Sequence, residues 1–296
     1  MGAAQPEHIL EPASSRDVRA VLRLIEEAGW AYTRDELERL IAVQPGGLIL
    51  LRSTGLRHGV LGCVYASAWG NVGFIGLMLV KGVHRGKGLG MELMMAAMDH
   101  LRDRGCTSIC LDAVLEATGF YRRMDFRSTW QSLRLGIDTS KGSTRPPEVE
   151  VRKAGDADMD QVIDLDRNQS GMDRTDLLRR LQADSDSTIR VVSTQDELLA
   201  YGVIRRSKGC MRLGPVVAAP RVEDSTAVRA LVVSAKVESY PRMLTVNVPA
   251  YNKEAVEMVL GMGAVEYAPC TRMCLGDPGP ADTPEGVWAL GAAEKG

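Results

Sequence analysis

Two rhythms of apolar residues alternate along this chain, one with helical spacing and one of strand type. Ile9 and Leu10 form a short apolar stretch. Ser14 stands three residues before Asp17, a capping-box-like helix start. Val18, Val21, Leu22 and Ile25 then fall on one helical face, which Gly29 ends. A second helical stretch, Thr33 to Ile41, leads into apolar runs at Gly46–Ser53, Gly59–Ser67 and Phe74–Val80. Met91, Met94, Met95, Met98 and Leu101 have the spacing of an amphipathic helix over Met91–Arg104, with the methionines as core filler. Ser108–Ala113 reads as the next strand.

The same order then returns. Val149 and Val151 open the second half, and Asp156 is the expected helix cap. Met159, Val162, Ile163 and Leu165 repeat the first helical face. Met172–Leu181 matches Thr33–Ile41. Ser187–Thr194, Leu198–Arg206 and Met211–Ala218 match the three strand runs, and Met243–Val248 follows the next helix. Between the halves, Asp138–Val149 is polar and rich in Ser, Gly and Pro, the composition of a linker. The chain is therefore expected to hold two repeats, residues 1–137 and 150–296, joined by 138–149. Each reads β-α-α-β-β-β-α-β-α-β-β. The expected fold class is α/β (α+β), a mixed sheet with flanking helices, antiparallel early and parallel across the long helix.

Composition narrows the function. A length of 296 residues suits about two domains, with 45% hydrophobic and 25% charged residues as in an ordinary globular protein. The net charge of −2 gives no reason to expect nucleic acid or an anionic membrane. No apolar run approaches membrane-spanning length, and the sequence predicts a cytoplasmic protein, monomer or homodimer. The six cysteines are scattered. Cys106 and Cys110, like Cys270 and Cys274, lie four apart on expected strands or turns, which is not the spacing of a zinc knuckle. Reduced thiols and no metal are expected.

Chemistry concentrates between Leu77 and Gly90. Leu77–Val80 ends a strand, Arg85-Gly86-Lys87-Gly88-Leu89-Gly90 follows, and a helix begins. Glycines let main-chain N–H groups turn toward one point, and a helix start adds partial positive charge there. Arg85 and Lys87 add full charge, so the segment reads as a pyrophosphate cradle. In the second repeat its place is taken by Pro220–Ser225, which has no glycine and two acids. One copy looks active and the other worn. A dinucleotide-binding turn is the rival reading, since Asp112 ends the next strand where a ribose-binding acid would lie. Met91 leaves G-x-G-x-x-G incomplete, and Lys81–Arg85 separates the strand from the first glycine, so that reading is set aside. His84 is read as an exposed loop histidine.

Arg85, Gly88 and Gly90 also fit R/Q-x-x-G-x-G/A, and Ala117–Phe126 fits A-x-x-F-Y-x-x-x-G-F except at Asp125, where glycine is usual. On these residues the chain resembles the GNAT superfamily of acyl-CoA N-acyltransferases, specifically a tandem subgroup with a diverged C-terminal copy. The resemblance runs from about Ile9 to Gly276. It implies acetyl-CoA as cofactor, held where the fourth and fifth strands splay apart. Main-chain groups of Leu79 and Val80 would pair with the pantetheine arm and the thioester carbonyl. Arg85, Gly86, Lys87, Gly88, Leu89 and Gly90 would hold the pyrophosphate, and Arg122 and Arg123 are further candidates for the phosphates.

The resemblance implies that Tyr121 protonates the departing thiolate. Aligned through Met124 and Met262, Val259 takes its place in the second repeat. Asp112, Glu116, Asp166 and Asp173 are all candidates for accepting the proton of the attacking amine. Direct transfer of acetyl to a primary amine of a small molecule or amino acid is expected, with the second repeat as a wall or lid. A protein or peptide amine, or a non-catalytic acyl-CoA-binding module, remain alternatives.

Overall fold

The computed structural model describes residues 7–55, 59–141, 147, 149–194, 197–220 and 224–292. Half of the expected linker, 142–146 and 148, lies outside the described residues, as do 221–223 of the segment that replaces the glycine loop.

The first half runs β1 (His8–Pro12), α1 (Val18–Glu27), α2 (Arg34–Val43), β2 (Leu48–Ser53), β3 (Val60–Trp69), β4 (Val72–Val80), α3 (Leu89–Asp103), β5 (Ser108–Val114), α4 (Thr118–Arg122) and β6 (Arg127–Asp138). The second half runs β7 (Arg152–Lys153), α5 (Met159–Ser170), α6 (Thr175–Ala183), β8 (Ser187–Ser193), β9 (Leu198–Ser207), β10 (Cys210–Ala218), α7 (Asp224–Ser239), β11 (Met243–Pro249), α8 (Lys253–Gly261), β12 (Val265–Glu266), β13 (Cys270–Leu275) and β14 (Val287–Ala289). The expected order holds through the fourth helical segment of each half. The expected final strand pair is a single long strand, β6, in the first half. In the second half it is β12 and β13, with β14 added beyond them.

Helix faces follow the 3.6-residue period with small corrections. On α1 the buried positions are Val18, Val21, Leu24 and Ile25, so Leu24 takes the place expected of Leu22. On α3, Leu93 and Ala97 pack inward with Met94, Met98 and Leu101, while Met95 is 53% exposed and Met91 only half-buried. Helix α2 has a full capping box. Thr33 Oγ1 accepts the Glu36 N–H at 3.1 Å, and the Glu36 carboxylate accepts the Thr33 N–H at 2.8 Å. Ser14 instead donates to the Asp17 carboxylate, which caps no helical N–H and also accepts from Arg52.

The halves form one sheet in the order β1-β2-β3-β4-β5-β13-β6-β11-β10-β9-β8-β7. Pairing is parallel across the long helices, at β4–β5 and at β10–β11, and antiparallel elsewhere. The centre of this order is an exchange. β13, from the second half, pairs with β5 of the first, and β6, from the first half, pairs with β11 of the second. The exchange buries the ends of both halves against each other.

Cys110 and Cys274 stand opposite each other in the β5–β13 ladder and form a disulfide. The expectation that all six thiols are free is corrected for this pair. Its partners lie 164 residues apart, so spacing within either half could not reveal them. Cys63, Cys106, Cys210 and Cys270 are free.

One apolar cluster joins Trp69, Val72, Phe74 and Cys110 of the first half to Met159, Val162, Leu177, Leu178 and Tyr201 of the second. Polar contacts add to the join. Arg39, fully buried, donates from Nε to Asp184 at 2.5 Å and also contacts Asp186. Ser207 Oγ donates to Glu36 at 3.1 Å. No helix among the described residues is long and apolar enough to cross a membrane.

Candidate active site

β4 and β5 pair only from Val72–Ser108 to Ile75–Leu111. Beyond Ile75 they part, as expected. The cause is a bulge in β4: Cys63 faces Leu79 but Tyr65 faces Gly76, so Leu77 and Met78 together oppose one residue of β3. Leu77 adopts φ 47°, a left-handed conformation costly for a branched side chain, and its buried side chain holds it there. The bulge turns the β4 edge outward and leaves it open toward β5.

The ladder also separates the two expected main-chain contacts. The Lys81 N–H donates to the Leu61 carbonyl at 2.9 Å. Consecutive residues of a strand face opposite edges, so Leu79 faces β3 and Val80 faces the open edge. The expected contact through Leu79 is corrected: its main chain is used by β3 and its side chain is buried. The Val80 N–H points to the open edge.

The glycine loop follows a single helical turn, Gly82–His84, and His84 lies at its end, half-buried. Arg85 folds back, its Nε donating to the Val80 carbonyl at 3.0 Å. Gly86 and Gly88 have φ of 75° and 85°, the left-handed region that favours glycine, and a Cβ on either would meet nothing within 4 Å. Gly88 caps α3, and Leu89 opens it. The stretch Arg85–Gly88 is exposed at the start of a 15-residue helix, where a helix start favours an anion. Gly90 is close-packed: a Cβ there would stand 3.0 Å from Met78 Cε, the mobile end of a flexible side chain. These features fit a diphosphate.

Tyr121 lies on α4, its ring edge-on to Phe120 at 5.2 Å and to Phe126 at 6.1 Å. Burial pushes its phenol up to about 12, so the hydroxyl stays protonated at neutral pH and can donate. Asp125 adopts φ 64° at the position where glycine is usual. The left-handed turn is therefore kept, by a residue type that tolerates it. Arg122 is exposed and reaches Ser128, and Arg123 lies over the Phe120 ring. Lys87 is exposed in the loop.

A cleft of about 520 Å³ opens beside the splay. The first half contributes Trp30 and Tyr32 from the α1–α2 loop, Ile75–Met78 of β4, Asp112 and Tyr121. Arg134 comes from the exchanged strand β6, and Arg212, Thr245 and Asn247 from the second half. Of the four carboxylates considered for proton acceptance, only Asp112 lines it. The exchanged strand supplies the partner of Asp112: Arg272 Nε donates to it at 2.5 Å, and that guanidinium lies over the Trp130 and Phe74 rings. Glu116 is exposed. Asp166 is buried in the second half, bonded to Arg174 and the Tyr201 hydroxyl. Asp173 is exposed and caps the start of α6 through Thr175. Sequence spacing could not have found Arg134, Arg212 or Asn247. They reach the cleft only through the strand exchange.

The equivalent splay of the second half is closed. β10 and β11 pair only as far as Leu213–Val246, and β14 then pairs with β10 at Val216–Ala289 and Val217–Val287. The Leu290 N–H donates to the Asn247 carbonyl at 2.8 Å, so the segment bridges both splayed strands. Gly214 packs so tightly on the Leu290 carbonyl that no side chain could stand there. Val259, aligned with Tyr121, is buried. The apolar Gly286–Leu290 run was the sequence signal for this plug.

An open strand splay, a glycine loop at a helix start and a buried tyrosine beside a cleft are features that suit an acyl-carrier-dependent transferase. Comparison with known proteins gives the family. Residues 18–126 match the Acetyltransferase (GNAT) family and residues 162–289 match an Acetyltransferase (GNAT) domain. The chain belongs to the GNAT N-acetyltransferases and carries two such domains in tandem. It is 22% identical over 247 residues to the uncharacterized N-acetyltransferase YitH of Bacillus subtilis (strain 168), covering 83% of this chain and 84% of that protein. A provisionally assigned acetyltransferase from Pyrococcus horikoshii has the same fold, with a TM-score of 0.82 at 21% identity over 100% of this chain and 98% of that one. A shorter likeness, 35% over 57 residues, links 19% of this chain to 34% of a glucosamine 6-phosphate N-acetyltransferase from Oryza sativa subsp. japonica.

Proposed function

We propose that the first half binds acetyl-CoA and that acetyl passes directly to the primary amine of a small molecule lying in the cleft between the halves. One observation carries this reading: the splay of the first half is open beside Tyr121, whereas that of the second is filled by its own chain. In this reading residues 1–137 form the catalytic domain, 138–149 the linker and 150–296 the acceptor wall, with β6 and β13 crossing between them.

Acetyl-CoA, when bound, supplies the acetyl group as a thioester. The loop Arg85–Gly90 holds the diphosphate with main-chain N–H groups and the charge of Arg85 and Lys87. The Val80 N–H, at the open edge of β4, would polarise the thioester carbonyl for attack by the amine. Asp112 takes up the amine proton, directly or through water. Its hydrogen bond from Arg272 Nε fixes its orientation. Tyr121 donates its proton to sulfur as the C–S bond breaks, and no covalent enzyme intermediate is needed. The enclosure of the cleft by both halves favours a small acceptor over a peptide, as does the likeness to an enzyme named for an amino-sugar phosphate.

The test is a panel of small amines and peptides incubated with acetyl-CoA, read as free thiol, alongside calorimetry with CoA. One CoA per chain and thiol release with a small amine are expected. Two equivalent CoA sites, or release with peptides alone, would overturn the reading.

A further inference from the structure

Three charged residues line the cleft: Asp112, Arg134 and Arg212. Two have opposite charges beside them. Asp112 is paired with Arg272. Arg212 Nη2 donates to the Ala31 carbonyl at 3.1 Å, and its Nε stands 3.7 Å from a Glu36 carboxylate oxygen, itself buried. Arg212 thus ties β10 to the α1–α2 loop, and Glu36 balances its charge. Arg134 is the exception. Among the described residues its guanidinium has neither a hydrogen bond nor an ion pair.

The sheet aims Arg134 into the cleft. Its neighbours Leu133 and Leu135 pack into the second-half core beneath α7 and α8, so Arg134 faces the other side. Asn247 stands directly opposite it on β11, with Val246 and Val248 in that same core. Arg134 and Asn247 therefore share the cleft face. The charge of Arg134 is felt by Tyr267 beside it and by Cys270. Cys270 sits between Val114 of β5 and Ser132 of β6. Across β13, the backbones of β5 and β6 are two strand spacings apart, about 10 Å. An extended arginine side chain closes much of that distance.

We propose that Arg134 anchors an anionic group, a carboxylate or a phosphate, on the amine this protein acetylates. The proposal rests on the cleft being the acceptor site. A guanidinium presents a planar fork that matches either anion with two parallel hydrogen bonds. Asn247 offers an amide donor on the same face. A polyamine would instead bring positive charge against Arg134, so polycations are selected against.

The experiment compares kcat/KM for matched amines in the full chain: α-amino acids with their carboxamides, and amino-sugar phosphates with the free amino sugars. The anionic member of at least one pair is expected to exceed its neutral partner by about 10²-fold. The two pair types separate carboxylate from phosphate. Arg134→Ala should erase that preference and Arg134→Lys restore part of it, with CoA affinity by calorimetry unchanged in both. Thiol release without anionic preference, or a preference that survives in Arg134→Ala, overturns this inference while leaving acetyl transfer to small amines intact. Release with no small amine at all defeats the acceptor reading itself.

Discussion

The two halves fold the same way and differ in what lies between their splayed strands. In the first, β4 and β5 part after Ile75, and the space is an open cleft of about 520 Å³. In the second, β10 and β11 part after Leu213, and β14 fills the space by pairing with β10. A splayed strand pair exposes main-chain groups that need partners. The first half leaves them open, and the second satisfies them with its own chain. The second copy therefore differs from the first in two ways, a glycine-free loop and an internal plug. The first is a plain local motif, whereas the second shows in sequence only as the apolar Gly286–Leu290 run, whose partner strand only the fold reveals.

The plug offers the strongest way to break this comparison. Trp288 is buried in the core beneath α7 and α8. Trp288→Ala should cost about 3–5 kcal/mol of stability, measured by urea unfolding. CoA stoichiometry should stay at one per chain, because no glycine loop exists to hold a second. A second CoA site in this variant would mean that the plug alone keeps the copy inactive.

Tyr121→Phe tests the other side of the comparison by giving the open cleft the apolar character of Val259. Turnover should fall about 10²-fold with little change in CoA affinity, read by steady-state kinetics and calorimetry. Near-full turnover would reduce Tyr121 to packing. The same residue sets a pH expectation. Burial disfavours the phenolate and raises its pKa to about 12, so the acid form persists above the ordinary tyrosine value. The kcat profile should then stay flat through pH 10. A fall centred near 10 would place the hydroxyl in bulk water.

The smallest effect concerns the turn after α4. Asp125 is held at φ 64°, where glycine carries no Cβ penalty. Asp125→Gly should raise stability by about 1 kcal/mol or less, seen as a higher Tm, with turnover unchanged. A drop in Tm would show that the aspartate side chain stabilises the turn beyond its conformational cost.

The sequence by itself determined the repeat, the order of elements through the fourth helical segment of each half, the glycine loop and Tyr121. These are local patterns. Apolar periodicity reports the buried face of an element, and glycine reports a conformation denied to other residues. Met95 was misplaced for the same reason: several spacings fit one helix, and contact with the sheet chooses among them. Only the tertiary structure decided which carboxylate lines the cleft. Asp112, Glu116, Asp166 and Asp173 are alike as sequence, but one faces the splay and another is locked to Arg174. The strand exchange was also invisible. β6 and β13 are ordinary strands whose partners lie in the opposite half, as the Cys110–Cys274 pair across 164 residues shows. Pairing between distant strands is set by which surfaces meet after collapse. That is why Arg134, Arg212 and Asn247 join the site without any motif to announce them.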